Sequence, residues 1–398
     1  MQNIYLRTIQ ALRALPHGIW VLGFASLFMD VSSELIHSLL PIFLTTTLGA
    51  SMVTLGILEG IAEATASITK VFSGILSDYL RKRKIILVLG YGLAMLTKPV
   101  IPAAQSISWV FGAHFVDRMG KGIRGAPRDA LIADITPTAL RGAAYGLRQA
   151  LDSVGSFVGP LLAFLLMIWF TGNIRAAMWI AIVPAVICVT ILVIYLREPE
   201  PEHESGTLQP PLKLADAKQL PEYYWFIVLL GAIFTLARFS EAFLVLRAQN
   251  IGMPIAHVPL VMVVMSFFYA VFAFPAGAAA DHFDRRLLLL GGLLLLIIAD
   301  IVLATAATPL FIFIGTAIWG LHMASTQGLL SKLVADTAPQ HLRGTAFGIF
   351  NLVTGLALLL ASTIAGSLWT LAGPAATFLC GASFATLATL ALLAYQYQ

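Results

Sequence analysis

Between Asp117 and Leu131 the chain reads Asp-Arg-Met-Gly-Lys-Gly-Ile-Arg-Gly-Ala-Pro-Arg-Asp-Ala-Leu, which is more ionisable chemistry than a lipid-facing helix tolerates. On a helix Asp117, Lys121, Arg124 and Arg128 follow an i, i+4, i+7, i+11 spacing and share one face, while Gly120, Gly122 and Gly125 admit a close neighbour. Fixed cations and carboxylates of this kind do one of two things: they meet an ionic group of a solute, or they take up and release protons. Further candidates share faces elsewhere, Asp30, Glu34 and His37, then Glu59, Glu63 and Lys70, and the i, i+4 pair Arg148 and Asp152; the second half offers Arg238, Glu241 and Arg247, Asp300, and His322 and Lys332.

A charge at the bilayer centre costs about 2.5–3.5 kcal/mol on insertion scales, so each of these side chains implies a partner, water or a substrate. Structural ion pairs are the plain reading, Arg148 with Asp152 or Lys70 with Glu63. Buried pairs are weak stabilisers relative to apolar replacements, however, so the whole set implies use. Asp30 and Glu34 suit reversible proton uptake, with Arg118 as the cation that swings near one of them. Lys121 and Arg124 suit an anionic substrate group, and Arg238 and Glu241 the opposing wall. Asp30, Glu34, Arg118, Lys121 and Arg124 are expected to face one central, water-accessible cavity. His322 reads either as a packed histidine or as a relay.

The elements that must position these groups are membrane helices. Hydrophobic residues make up 59% and charged residues 11% of the 398, and the mean hydropathy is +0.88, far from a soluble domain. The net charge of +4 lies beside or inside apolar runs, which argues against a nucleic-acid partner. Cys188 and Cys380 each sit in an apolar segment, so neither a disulfide framework nor a cysteine metal site is expected, and no metal or cofactor is called for. With about 20 apolar residues per crossing, the chain divides into spans near 18–48, 52–79, 84–103, 107–130, 139–169, 174–196, 223–250, 257–281, 286–306, 309–332, 341–371 and 374–396. The run after Arg7 and Arg13 reads as a first span rather than a removed signal, preceded by a short interfacial helix over residues 4–15. Basic residues fall in alternate connections, which predicts both termini on the cytoplasmic side. The polar stretch 197–222 reads as a cytoplasmic linker between halves 1–196 and 223–398. The seven tryptophans lie mostly towards span ends, as interfacial anchors.

The halves repeat. Ala133-Asp-Ile-Thr-Pro-Thr-Ala-Leu-Arg-Gly142 returns 202 positions later as Ala335-Asp-Thr-Ala-Pro-Gln-His-Leu-Arg-Gly344, a pattern that predicts Thr136 as a helix N-cap and Pro137 at the first helical position. Gly74-Ile-Leu-Ser-Asp78 through Arg83 returns 203 positions later as Gly277-Ala-Ala-Ala-Asp281 through Arg286. Two parallel six-helix repeats is a transporter arrangement.

These features resemble the major facilitator superfamily over essentially the whole chain. The loop after span 2 is similar to the family's gating motif through Gly74, Leu76, Asp78, Lys82 and Arg83, and departs from it at Tyr79 and Arg81. Arg118 and Gly122 are similar to the family's R-x-x-Q-G element, with Lys121 in place of glutamine, and Gly155, Gly159 and Pro160 resemble the G-x-x-x-G-P motif of proton-driven antiporters, although close packing with a kink explains the same residues. The Asp-Arg-x-Gly-Lys-Gly-x-Arg run also resembles a subgroup of bacterial facilitators. The resemblance implies an all-α fold of twelve transmembrane helices in two halves, and a monomer of the bacterial inner membrane. The implied activity is alternating-access transport of a small polar or amphiphilic solute. Proton-coupled efflux is the first expectation; proton-linked uptake of a small organic solute or metal chelate is the second, and a non-transporting receptor or assembly factor a third. The partners implied are the solute, protons and the bilayer. Asp78 is expected at the start of span 11 near Leu342–Thr345, and Asp281 at the start of span 5, with Lys82, Arg83, Arg285 and Arg286 attracting acids or lipid phosphates around this gate. No nucleophile elbow, H-E-x-x-H or P-loop occurs, so an enzyme is not expected.

Overall fold

Long apolar runs punctuated by Gly, Pro and charge fold as helices that satisfy their own backbone polar groups, the requirement for crossing a bilayer. The computed structural model describes residues 13–80, 82–197, 219–282, 284–326, 329–339 and 342–394, and the side chains of Asp78 and Asp281 lie outside what it describes. Twelve spans follow one another. The first half holds α1 (His17–Ile42, prolonged by a wide turn, Phe43–Thr47), α2 (Met52–Leu80), α3 (Arg83–Thr97 with Val100–Ala103), α4 (Ile107–Ile135), α5 (Arg141–Trp169) and α6 (Ile174–Trp179 with Ile182–Tyr195). The second holds α7 (Glu222–Ala237 with Ala242–Asn250), α8 (Leu260–His282), α9 (Arg285–Thr305), α10 (Pro309–Thr326 with Leu329–Thr337), α11 (Arg343–Ala372) and α12 (Pro374–Ala394). Among the described residues eleven spans are long and apolar enough to cross a membrane; α4 is long enough but too charged.

The repeat governs packing. In the first half α1 packs on α5 and α6, α2 on α4, and α3 on α4 and α6; in the second, α7 packs on α11 and α12, α8 on α10, and α9 on α10 and α12. The halves meet through α2 with α11, α5 with α8, and α1 with α7. Even the turns repeat: Gly49 and Gly252 follow α1 and α7 with φ of 69° and 86°, and Gly172 and Gly373 follow α5 and α11 with φ of 85° and 86°, a left-handed conformation open to glycine.

Loops alternate between a basic end, where α2 joins α3 and α8 joins α9, and an opposite end nearly free of charge. The halves touch at the opposite end. A Cβ on Gly366 would stand 2.3 Å from the Met52 carbonyl oxygen, one on Gly56 2.1 Å from that of Ser362, and one on Gly60 2.8 Å from the Leu359 Cα. Farther along the same seam Gly355 would meet Ser67 at a looser 3.3 Å, whereas Gly142, Gly146, Gly277 and Gly344 at the basic end have open space. The tightest contacts between the halves therefore lie at the opposite end.

Four local expectations change. α4 runs to Ile135 rather than 130, and Thr136 closes it in extended conformation instead of capping the next helix; Pro137 opens a short turn, Thr138–Leu140, before α5 begins at Arg141. The proline lacks the N–H that would continue α4 and holds its own φ at −53°. α7 is not continuous: Arg238–Glu241 interrupts it in mid-bundle. Trp319 is no interfacial anchor, being fully buried against Phe239 with ring centroids 5.5 Å apart. Residues 4–12 of the expected interfacial helix, Arg81 and nearly all of the linker 197–222 fall outside the described residues, as do the side-chain contacts expected of Asp78 and Asp281.

Candidate functional site

Glycines set α4 between its neighbours. A Cβ on Gly120 would stand 2.5 Å from the Gly90 carbonyl oxygen of α3, and one on Gly122 2.7 Å from the Ala66 carbonyl oxygen of α2, so the backbones touch and the ionic side chains are forced into the seams. Three clusters result.

The first lies in the groove. Arg118 pairs with Glu63 at 2.9 Å. His37 stands between two acids, Nδ1 at 3.5 Å from Glu34 and Nε2 at 3.6 Å from Glu59, and His114 Nε2 approaches the other oxygen of Glu59 at 3.7 Å. Glu59 is 1% exposed, while Glu34 and Glu63 keep 24% and 30% of their side-chain surface, so this carboxylate ladder runs from the open groove into the interior. The second half answers from the break in α7: the Ser240 hydroxyl donates to Glu59 at 3.3 Å, and Arg238 faces Glu241 at 3.8 Å, both partly exposed. Lys121 is exposed and lies within electrostatic reach of Glu34 and Glu63.

The second cluster is the seam of α3 and α4. Lys98, 1% exposed, donates to Asp117 at 2.8 Å and to Ser33 at 3.0 Å. Arg124 lies over the Tyr91 ring, 4.6 Å from its centroid. The third joins α1, α4 and α5: Arg148 pairs with Asp152 at 2.9 Å and Asp129 at 2.7 Å, and Arg128 donates to Ser26 at 2.7 Å and faces Asp152 at 3.7 Å. Asp30 makes no ion pair or hydrogen bond among the described residues, but its Cβ stands 2.8 Å from where one on Gly155 would be; Gly159 meets Glu34 in the same way at 2.7 Å.

The expected shared face of α4 is thus divided. Arg118 and Lys121 belong to the groove, but Asp117 and Arg124 do not: α3 supplies a lysine and a phenol ring that bury them. Glu63 meets Arg118, not Lys70. Gly155 and Gly159 are where α5 lies against the acid-bearing turns of α1. Arg83 pairs with Asp134 at 2.7 Å, and Arg285 makes the same pair with Asp336 in the second half, so these bases tie each half's own basic end together; Arg286 donates to the Leu393 carbonyl at 2.9 Å. Sequence reasoning missed Lys98, His114, Ser240 and Asp129. A lone lysine inside an apolar run marked Lys98, and His114 sits one turn before Arg118, whereas nothing local marked Ser240.

The family profile described as Major Facilitator Superfamily matches residues 22–246 and 225–397. An uncharacterized MFS-type transporter of Methanocaldococcus jannaschii is 33% identical over 389 residues, 96% of this chain and 95% of that protein. A probable 4-methylmuconolactone transporter of Cupriavidus pinatubonensis is 32% identical over 161 residues, 40% of this chain and 37% of that protein. The crystal structure of a mutant of the nucleoside transporter NupG superposes with a TM-score of 0.79 at 13% identity, over 95% of this chain and 99% of that one, a likeness of fold. Profile, relative and fold agree with twelve helices around an ionic groove: the chain belongs to the major facilitator superfamily and is a multi-pass membrane transporter rather than an enzyme.

Proposed function

We propose that the chain moves a small polar or amphiphilic solute across the bacterial inner membrane by alternating access, in exchange for protons, with both termini cytoplasmic and the halves 1–196 and 223–398 rocking about the groove. The basic end then faces the cytoplasm by the positive-inside rule, and the tight α2–α11 contacts support closure on the other side.

The observation that carries this reading is the ladder Glu34–His37–Glu59–His114 with Ser240 bonded to it from the other half. Rocking separates α7 from α2 and strips Glu59 of that donor. A buried carboxylate that loses a hydrogen bond needs a replacement, and a proton supplies it. Glu59 is therefore the coupling acid, with His37 passing protons to Glu34 at the groove. Asp30 remains the second acid, beside the Arg128 and Arg148 network. Lys121 and Arg118 offer cations to an anionic group of the solute, and Arg238 with Glu241 form the opposing wall. The relative named as a 4-methylmuconolactone transporter supports a small organic solute.

The test is a thermal-shift screen of the purified protein against metabolites, drugs and metal chelates at two pH values, since a ligand of the folded state raises apparent stability. Each hit is then added to acidified everted vesicles. Solute-evoked proton release from the vesicles supports exchange; solute entering with protons instead makes the protein an importer, and hits that move neither overturn the reading.

A further inference from the structure

The repeat sets Asp300 of α9 against Lys98 of α3, 202 positions apart, and Trp319 of α10 against Asp117 of α4 by the same offset. In the first half that place holds an ion pair, Lys98 on Asp117 at 2.8 Å. In the second half no described residue gives the acid a countercharge. Asp300 is 0% exposed, and no described residue donates a hydrogen bond to either oxygen. Trp319, also fully buried, finds no acceptor for its indole N–H among the described residues.

The surroundings suit the neutral acid better than the anion. Oδ2 lies 2.6 Å, the Phe239 ring 3.0 Å and the Ala237 carbonyl oxygen 3.1 Å from the point where a Cβ on Gly381 would stand. Ala237 is the last residue before the break in α7, so its carbonyl has lost its helical partner and is free to accept. A carboxylate gains nothing from a ring edge and a carbonyl oxygen, whereas a carboxylic acid has a proton to offer such an acceptor. Among the described residues the charged groups of the surrounding elements are engaged elsewhere. Arg238 faces Glu241, Arg247 caps the Leu303, Ala304 and Ala306 carbonyls, His322 lies against the Gly292 carbonyl, and α12 brings the Cys380 thiol.

We propose that Asp300 is a proton-binding site of the second half, separate from the Glu59 ladder, filled and emptied through the break in α7. The proton comes from water in the groove where α7 is broken and returns there; on Asp300 it forms an O–H that bonds to Ala237, and its departure leaves an anion that the break must open to hydrate. The inference needs no transported solute and stands whether or not the exchange reading holds.

Infrared difference spectroscopy of the protein in lipid, titrated from acid to alkaline pH, tests it. The wild type is expected to show the C=O stretch of a protonated carboxyl in dry surroundings at neutral pH, lost at alkaline pH, and Asp300→Asn to lack that band. Should that variant not fold, Gly381→Ala places a methyl against Oδ2 and shifts the band instead. No such band in the wild type, or a band untouched by either substitution, overturns the proposal. So does a band abolished by sodium but not potassium at constant pH, which would make the site a sodium site.

Discussion

The Ser240 hydroxyl donates to the Glu59 carboxylate at 3.3 Å, joining the broken α7 of one half to α2 of the other. A hydrogen bond to a charged group contributes about 1.5–3 kcal/mol, enough for this contact to bias which end of the groove is closed. Replacing Glu59 with Gln keeps the shape and removes the charge. Transport driven by a proton gradient is expected to fall about tenfold or more, the factor that roughly 1.4 kcal/mol represents, while solute exchange at equal pH on both sides persists. Equal loss of both would take Glu59 out of the coupling role.

Lys98→Met leaves Asp117 charged and unpaired in a closed seam. Removing one partner of a buried pair costs about 3–5 kcal/mol, whereas apolar replacement of both is close to neutral. Melting of the purified protein is therefore expected to fall sharply in Lys98→Met and to recover most of the way when Asp117→Leu is added. A double substitution as unstable as the single one would mean that the pair serves more than packing.

Gly366 has no room for a side chain, since its Cβ position is 2.3 Å from the Met52 carbonyl oxygen. A Gly366→Leu substitution is expected to wedge the opposite end apart and shift the population towards the state closed at the basic end. Spin-label distances across the α2–α11 seam would lengthen at the opposite end and shorten at the basic end. Unchanged distances would show that the seam yields by local repacking.

Lys121 is exposed to the groove and makes no ion pair among the described residues, so Lys121→Gln should leave the melting temperature almost unmoved. Affinity for an anionic solute is expected to drop, and to lose part of its dependence on ionic strength, because the lost contact is a solvent-reachable charge. Undiminished affinity for anionic hits of the thermal-shift screen would exclude Lys121 from the solute site.

Span count, the two halves and the ionic character of α4 were legible because hydropathy and the 202-position repeat are written in residue types. Helical spacing also located the face holding Asp117, Lys121, Arg124 and Arg128, but a face is an angle, and the neighbour that fills it comes from elsewhere in the chain. Lys98 and Tyr91 of α3 decide that Asp117 and Arg124 are buried while Lys121 stays open. The break in α7 was illegible for the opposite reason. Arg238–Glu241 contains neither Gly nor Pro, and what accommodates it is tertiary: the Ser240 amide donates to Ser362 at 3.2 Å and its hydroxyl to Glu59. Asp300 was visible as a lone acid, but its lack of a partner emerges only when α10 and α12 surround it.

α4 also bears on how the protein is made. Its seven Asp, Lys and Arg residues, with roughly 2.5–3.5 kcal/mol opposing each near the bilayer centre, leave Ile107–Ile135 unable to partition into lipid as an isolated segment. By the time the ribosome emits it, however, α1, α2 and α3 have already been synthesised, and they carry Ser26, Glu63 and Lys98, the side chains that receive Arg128, Arg118 and Asp117. Its neutralising partners all precede it, apart from the α5 residues Arg148 and Asp152, which follow within one more helix. Insertion of this span is thus an assembly reaction: it enters the membrane by docking on earlier helices held near the translocon, and a fragment ending after α4 would retain it only if α1–α3 were attached.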